Sequence, residues 1–252
     1  MNPTPRETWR PDTRHIGRPV YWFDELDSTN AYAQTLSAGA AVIADHQTAG
    51  RGQYGRTWTS RPGASLLISF VLDPPAEWRR AVVLTAWAAV AVGETIRRLT
   101  NQQARIKWPN DLLVRGKKIC GILIEQGRSL VCGIGLNVNQ SAEEFAAAGL
   151  PEATSLAIVG ETAFDLRAVA TAAIHSLDEG YDRLVSGEIP LLESEWKWRT
   201  GLLGRSVVAE LADGTTTAGR LRDMSFDGIE LDAGDGAVRA LIPEHVRQLR
   251  PG

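Results

Sequence analysis

The stretch "KWPNDLLVRGKKICGILIEQ", residues 107–126, predicts short strands joined by tight turns. Pro109 interrupts the first extended run because proline has no backbone N–H to donate to a neighbouring strand. Asn110 and Asp111 then place an amide and a carboxylate at the turn, and Lys118 follows on the next strand. A plain hairpin with a solvated turn would explain the same residues, so this stretch indicates local structure before it indicates chemistry.

The flanking sequence extends this pattern into an α+β fold. Strand-like runs occur at 20–26, 40–45, 65–72, 104–109, 111–114, 117–126 and 129–138. Helical patterns occur at 29–39, 78–99, 165–186 and 189–199. The helix at 78–99 is apolar around most of its circumference and is expected to be buried, and Asp165 is the expected cap of the next long helix. This order predicts a mixed or largely antiparallel sheet with helices packed on one side of it.

Beyond residue 203 the sequence changes to short β-rich runs separated by aspartate–glycine pairs. Asp-Gly occurs at 213–214, 227–228 and 235–236, and it is a strong hairpin signal because both positions tolerate positive φ. The pattern predicts a small closed barrel of about five strands. We therefore expect three segments, namely an irregular N-terminal arm at 1–19, a main domain at 20–202 and the barrel at 203–252.

The composition excludes several classes of protein. The 252 residues carry a formal net charge of −3, so no global field attracts nucleic acid or membrane, and any anion site must be local. Cys120 and Cys132 lie in apolar runs and are expected to be reduced and buried. His46 has no partner at metal-ligand spacing, so no metal site is predicted. Without a signal peptide or a membrane-spanning run, a cytoplasmic location is expected.

The stretch "QTAGRGQYGRTW", residues 47–58, is the most distinctive local feature, and we call it the glycine-rich loop. Glycines and arginines alternate within it, at Gly50, Arg51, Gly52, Gly55 and Arg56. Glycines let backbone N–H groups converge on an anion, and arginines add charge and forked donors. The spacing is that of neither a Walker A loop nor a dinucleotide fingerprint. An ordinary surface turn is the alternative.

Two shorter motifs are each open to a plain structural explanation. The residues "DSTN" at 27–30 are typical of a helix cap. The residues "GIGLNVNQ" at 133–140 are typical of a strand whose glycines let other atoms approach its backbone. Each motif is weak alone, and their fixed order along the chain is the stronger signal.

In this order the motifs resemble the biotin–protein ligases, also called biotin–[acetyl-CoA-carboxylase] ligases. The resemblance runs through "DSTN", "HQTAGRGQYGRTW", "KWPNDLLVRGKKICGILIE" and "GIGLNVN" and continues into the C-terminal barrel. It implies a catalytic domain like that of class II synthetases, followed by an SH3-like barrel. It also implies that biotin is activated with ATP and magnesium as biotinyl-5′-AMP. The biotinyl group then passes to a lysine of a biotin carboxyl carrier domain.

The resemblance also implies roles for particular residues. Arg51, Lys118 and Asp111 are the expected catalytic group, in which the two cations offset the repulsion between the biotin carboxylate and the α-phosphate. The expected biotin-binding residues are Ser28, Thr29, Asn30, Gln47, Gly50, Arg51, Gly52, Lys118, Gly121 and Gly133. The expected ATP- or adenylate-binding residues are Gly52, Gln53, Arg56, Trp58, Lys107, Asn110 and Asn137.

Two departures from the family pattern carry expectations of their own. Many members have a basic residue after the Gly-Arg-Gly triplet, where this chain has Gln53, so the adenylate is expected to be held less tightly. Bifunctional members carry an N-terminal helix-turn-helix domain, whereas about 19 irregular residues precede the first strand here, so no DNA partner is expected. The glycine-rich loop is expected to be open when empty and to fold over the adenylate.

Three other functions are alternatives to this one. A lipoate or octanoate ligase or transferase has the same fold, but octanoyl transferases use a cysteine nucleophile, and Cys120 is expected in a strand interior. A non-catalytic, biotin-responsive DNA-binding regulator is the second alternative, and the net negative charge of the chain argues against it. A nucleic-acid role for the barrel alone ranks last. The chain is expected to be a monomer or a weak homodimer.

Overall fold

The computed structural model describes residues 3–234 and 236–252. Its main unit is a mixed sheet of eight strands, which confirms the predicted mixed or largely antiparallel sheet. The strands are β1 (Glu7–Trp9), β2 (Val20–Leu26), β3 (Ala41–Gln47), β4 (Ser65–Leu72), β5 (Arg105–Lys107), β6 (Asp111–Val114), β7 (Lys117–Gln126) and β8 (Leu130–Asn137). Their order is β1-β2-β3-β4-β8-β7-β6-β5. β2 and β3 are parallel, and the other neighbours are antiparallel.

The two long helices form where the sequence predicts them. The helices are α1 (Thr29–Ala33), α2 (Ala81–Thr100), α3 (Ala142–Ala147), α4 (Leu156–Gly160), α5 (Leu166–Val185) and α6 (Ile189–Thr200). α2 packs against α5, α6 and β7, and Val83, Trp87 and Ile96 on it are almost fully buried. Asp165 is the N-cap of α5, and its Oδ1 accepts a hydrogen bond from the Ala168 N–H at 2.8 Å.

The sheet has a core layer on each face. On β3, Ala41 and Ile43 belong to the large core that includes α2 and α5, whereas Val42 and Ala44 belong to a smaller core that includes Ala33 of α1. Because consecutive strand residues point to opposite faces, α1 lies on the face opposite the long helices. The prediction of helices on one side is therefore wrong for α1. That second face carries the candidate site.

The C-terminal unit is a five-stranded antiparallel sheet. Its strands are β9 (Ser206–Leu211), β10 (Thr216–Met224), β11 (Ile229–Asp232), β12 (Val238–Leu241) and β13 (Val246–Pro251), in the order β12-β11-β10-β9-β13. The strand number confirms the prediction. Within the described residues no backbone pairing joins β12 to β13, so the barrel is open along that seam rather than closed. Asp235, in the third predicted Asp-Gly turn, lies outside the described residues.

The barrel and the main sheet share one continuous core. Apolar residues of both units belong to a single buried cluster. Trp108, just after β5, donates from Nε1 to the Val246 carbonyl of β13 at 2.8 Å. The Trp196 ring on α6 lies 5.1 Å from the Phe226 ring. The barrel is therefore packed directly against the segment that carries Asn110 and Asp111.

The N-terminal arm is more ordered than the sequence predicts. Glu7–Trp9 forms β1, which pairs with β2, so the expectation of an irregular arm is wrong there. Further along, the Asp178 carboxylate on α5 accepts the backbone N–H groups of Arg14, His15 and Ile16 at 2.7, 2.8 and 2.9 Å. A buried carboxylate satisfied by backbone donors is a stable arrangement. It fixes the arm to the helical layer.

Some element lengths and positions differ from the prediction. α1 ends at Ala33, although the sequence predicts a helix as far as residue 39. The short helices α3 and α4 were not predicted; Ser141 and Ser155 cap them, respectively. None of the helices within the described ranges is both long enough and apolar enough to cross a membrane.

Candidate functional site

A cavity of about 300 Å³ lies on the face of the sheet that carries α1. Its floor is formed by β4, β7 and β8, and the glycine-rich loop forms its outer wall. Most of the predicted site residues line it, namely Ser28, Thr29, Asn30, Gln47, Arg51, Gly52, Gln53, Arg56, Trp58, Asn110, Asp111, Lys118, Gly121 and Gly133. The fold therefore brings together motifs that are far apart in the sequence.

The start of α1 forms one polar end of the cavity. Ser28 is the N-cap, and its hydroxyl oxygen accepts from the Ala31 N–H at 3.4 Å. The Thr29 N–H and hydroxyl both donate to the Gln47 side-chain carbonyl, at 2.7 and 3.0 Å. This contact forms because parallel pairing places Gln47 opposite Leu26, just before α1. The cap and the candidate binding group are thus the same residues.

The floor glycines make room for side chains of the protein itself. A Cβ atom on Gly133 would lie 2.1 Å from the Asn30 Oδ1, and one on Gly135 would lie 2.6 Å from the Trp58 ring. A Cβ on Gly121 would lie 3.0 Å from the same ring. Gly121 and Gly133 were predicted to bind biotin, and that role remains a prediction. The space above them holds Trp58 and Asn30.

A β-bulge turns Lys118 toward the cavity. In the pairing of β6 with β7, Leu112 is opposite Cys120 but Leu113 is opposite Lys118, so Ile119 is an extra residue. Ile119 and Cys120 are both fully buried in the large core. Without the extra residue, simple alternation would point Lys118 into that core. The bulge therefore puts a cation in the cavity.

Two of the three cations that line the cavity, Arg51 and Lys118, are already paired with carboxylates. Lys118 Nζ lies 2.6 Å from the Asp111 Oδ1 and 5.5 Å from the centre of the Trp58 ring. Arg51 donates from its NH2 group to the Glu125 Oε2 at 2.9 Å. Each cation must exchange its carboxylate for a ligand anion if it is to neutralise one. The site thus gathers both positive and negative side chains, although the chain as a whole has a net charge of only −3.

The glycine-rich loop is folded back on itself. The Gly52 N–H donates to the Arg56 carbonyl at 2.7 Å, and the Trp58 N–H donates to the Gly50 carbonyl at 3.0 Å. Gln53 Oε1 and Trp58 Nε1 are buried, and neither has a hydrogen-bond partner in the part of the chain that the structure describes. Buried polar atoms are normally satisfied. A ligand in the cavity would supply the missing partners.

Three predicted residues do not line this cavity. Gly50, within the glycine-rich loop, lines a neighbouring groove that shares Arg51 and Gly52 with the cavity. Lys107 is exposed at the end of β5. Asn137 is buried at the end of β8, where its Nδ2 donates to the Thr154 carbonyl at 3.0 Å. Their predicted binding roles remain predictions.

Sequence reasoning missed several residues that line the cavity. They are Thr57, Leu67, Ile122, Leu123, Ile134, Gly135 and Leu150. Gly135 was within reach, since it follows Gly133 by two residues and so shares its face. Leu67 and Leu150 carried no sequence signal because single leucines are found in any core.

The two cysteines take no part in the site. Both are fully buried as free thiols, and burial raises the pKa of each thiol well above its ordinary range. A nucleophilic cysteine requires the thiolate, so neither thiol is suited to acyl transfer. This removes the structural basis for a transferase that works through Cys120.

Comparison with known proteins agrees with this geometry. Residues 22–139 match the model of the "Biotin/lipoate A/B protein ligase family". The biotin–[acetyl-CoA-carboxylase] ligase of Mycobacterium tuberculosis is 34% identical over 231 residues, covering 85% of this chain and 83% of that protein. The chain belongs to the biotin protein ligase family. The bifunctional ligase/repressor BirA of Bacillus subtilis is 33% identical over 241 residues, covering 91% of this ligase and 71% of the relative.

The solved structures show the same fold. The biotin protein ligase of Aquifex aeolicus in complex with biotin and ATP superposes with a TM-score of 0.77 at 27% identity. The alignment covers 92% of this ligase and 99% of that chain. The fold class predicted for both units is thereby confirmed.

Proposed function

We propose that this biotin protein ligase activates biotin with ATP at the cavity described above and transfers it to a lysine of a biotin carboxyl carrier domain. The observation that carries the proposal is the meeting of Arg51 and Lys118 in one cavity whose floor is apolar. Activation of a carboxylate by ATP brings two anions together, and positioned cations are what such a reaction needs.

Biotin has a polar ureido ring and an apolar chain, and the cavity offers a surface for each. Thr29 and Gln47 supply hydrogen-bonding groups at one end. Leu67 and Leu123 supply apolar side chains on the floor, because they pair with Gly135 and Gly133 and so share their face, and the Trp58 ring lies over the same glycines. A mostly apolar pocket with a few fixed polar groups is typical of small-molecule sites. We assign the ureido ring to the α1 end of the cavity.

In the first step a biotin carboxylate oxygen attacks the α-phosphorus of ATP. The new P–O bond forms as the bond to the bridging oxygen breaks, and pyrophosphate leaves with that electron pair. Arg51 and Lys118 exchange their own carboxylates for the reacting anions, and Arg56 lies on the same wall of the cavity. Trp58 Nε1 and Gln53 Oε1 are then free to bond the adenylate.

Magnesium enters this scheme as the counter-ion of ATP. Within residues 3–234 and 236–252, no group of three or more His, Cys, Asp or Glu side chains is placed to hold a metal ion. Magnesium usually keeps several waters and binds substrate phosphates with one or two carboxylates. Asp111 is the carboxylate at the cavity that would hold it during the first step, before pyrophosphate leaves. Asn110 is held beside it by donating from Nδ2 to the Ile122 carbonyl at 2.7 Å.

In the second step the carrier lysine attacks the carbonyl carbon of the mixed anhydride. An amide bond forms, the C–O bond to the phosphate breaks and AMP leaves. The amine must lose a proton, and we assign the Asp111 carboxylate to receive it. The glycine-rich loop would exclude water from the adenylate until the lysine arrives. We propose a carrier domain as the protein partner, no DNA partner, and a monomer or weak homodimer.

The test is transfer of labelled biotin to a purified biotin carboxyl carrier domain, with and without ATP. ATP-dependent labelling of a single carrier lysine is expected. Parallel reactions replace biotin with labelled lipoate or octanoate and use their own carrier domain. Labelling with lipoate or octanoate but not biotin would overturn the substrate while leaving the chemistry of activation in place.

A further inference from the structure

Glu125, near the end of β7, joins the floor of the cavity to its outer wall. Its Oε2 accepts from the Arg51 NH2 group at 2.9 Å and from the Asn30 Nδ2 at 2.7 Å. We propose that Glu125 is a positioning residue, which holds Arg51 at the cavity rim in the empty ligase and releases it to the substrate anions. The second half of this proposal rests on the function proposed above, and the first half does not.

The contact with Asn30 is the fixed half of the arrangement. Asn30 is 4% exposed, and its Oδ1 lies 2.6 Å from the Ser69 hydroxyl, which is fully buried. The absence of a side chain at Gly133 allows Asn30 to lie flat on β8. If Glu125 moved away, the Asn30 amide would lose a partner in a buried place, which is costly. Glu125 is therefore held in one position.

The contact with Arg51 is the exchangeable half. The Arg51 side chain is 48% exposed and that of Glu125 is 29% exposed. An ion pair this exposed holds its partners together only weakly. A phosphate or carboxylate that offers two oxygens to a guanidinium makes a stronger, forked contact. Incoming substrate can therefore take Arg51 from Glu125 without disturbing Asn30.

The same hydrogen-bonded chain continues to the other end of the cavity. The Ser69 hydroxyl also lies 2.7 Å from the Thr29 hydroxyl, and Thr29 in turn donates to Gln47. Ser69 has one proton to donate and gives it to one neighbour at a time. Glu125 thus ends a chain that begins at the proposed ureido site. A change at either end alters which partner Ser69 serves.

The test of the empty state uses the full chain without substrates. Chymotrypsin cleavage after Tyr54, which is 54% exposed on the glycine-rich loop, reports how well the loop is held. Glu125→Gln is expected to raise the cleavage rate about two- to fivefold, the range that an exposed ion pair supports. Arg51→Gln should do the same, and the double variant should add nothing further because both changes remove the same ion pair. Glu77→Gln, an exposed glutamate remote from the cavity, is the control.

Unchanged cleavage in Glu125→Gln, or additive effects in the double variant, would overturn the role in holding Arg51. Biotin affinity, measured by calorimetry, tests the Asn30 contact separately. Glu125→Gln keeps an acceptor for Asn30 and should change the affinity by less than about twofold, whereas Glu125→Ala should weaken it about tenfold. Equal affinities for the two variants would overturn that contact. Failure of the unaltered protein to bind biotin would overturn the proposed function and leave the cleavage result intact.

Discussion

The two walls of the cavity hold their cations in different ways. Lys118 lies on a paired strand, and its backbone N–H and carbonyl are also bonded to the Glu152 carbonyl and the Thr154 N–H, at 2.7 and 2.8 Å. Arg51 lies on a loop, where its side chain is tied to Glu125 by a half-exposed contact. The sheet therefore holds Lys118 in place, as the proposed chemistry requires of a preorganised charge, and the loop carries Arg51, which we propose moves onto the substrate anions.

The largest expected effect comes from removing the cation on the sheet. Lys118→Ala should lower the rate of biotinyl-adenylate formation about a hundredfold or more, because a preorganised charge next to the reacting anions is lost. The measurement is pyrophosphate release in the presence of biotin and ATP. Lys117→Ala is the matched control, since Lys117 is the preceding residue and its Nζ bonds the Pro151 carbonyl outside the cavity. Equal losses in both variants would mean that the bulge does not select Lys118.

Adding a methyl group to the floor of the cavity tests whether the sheet is as rigid there as its strand pairing indicates. Gly133→Ala places a Cβ 2.1 Å from the Asn30 Oδ1, so Asn30 must leave its bonds to Ser69 and Glu125. Loss of buried hydrogen bonds of this kind should weaken biotin binding about tenfold, as measured by calorimetry. Gly228→Ala is the control, because the nearest atom to its added Cβ is 4.0 Å away. Unchanged affinity would show that the floor yields easily.

Retention of the adenylate by the glycine-rich loop should depend on charge rather than on packing. Gln53→Arg supplies the basic residue that many family members have after the Gly-Arg-Gly triplet, and the adenylate should then dissociate about fivefold more slowly. The measurement is release of labelled biotinyl-adenylate from the loaded protein. Gln53→Lys should act in the same direction, and Gln53→Met should not. A slower release with methionine would assign the effect to packing.

The smallest effect is expected where the loop meets the barrel. The Arg247 guanidinium lies 4.5 Å from the centre of the Tyr54 ring, a contact that links β13 to the tip of the glycine-rich loop. Arg247→Ala should raise loop cleavage after Tyr54 about two- to fivefold, in line with an exposed cation–π contact. Arg250→Ala, on the same strand, is the control. An unchanged cleavage rate would leave the loop held by Glu125 and its own hydrogen bonds.

Much of the fold was readable because its elements obey simple periodicities. The 165–186 pattern, with Asp165 as its cap, and the alternating strands each express one rule without a tertiary conflict. Two parts escaped that reasoning. The helix predicted at 29–39 is too long, because the chain turns back after Ala33 to reach β3. The order in the N-terminal arm depends on Asp178, which is far away in sequence.

The site was predictable as a set of residues but not as an arrangement. The motifs indicated Arg51, Asp111 and Lys118, and the fold brings them to one cavity. The bulge at Ile119 could not be predicted, because the residue types of the motif do not show that one strand residue is extra. The pairing of Arg51 with Glu125 was hidden for a different reason. It joins two residues on elements whose proximity depends on the strand order of the whole sheet.

The hydrogen bond from Trp108 to Val246 limits which other barrels could replace this one in the protein. Trp108 immediately precedes the Pro109–Asp111 turn, so a substitute barrel with a different carbonyl position would shift Asn110 and Asp111, which line the cavity. Arg80 adds a second tie through Asp227 and Glu244, at 2.6 and 2.8 Å. The barrel therefore cannot be exchanged for that of another protein without further changes in the main unit. A chimaera that takes the barrel from a relative must also take that relative's counterparts of Trp108, just after β5, and Arg80, just before α2.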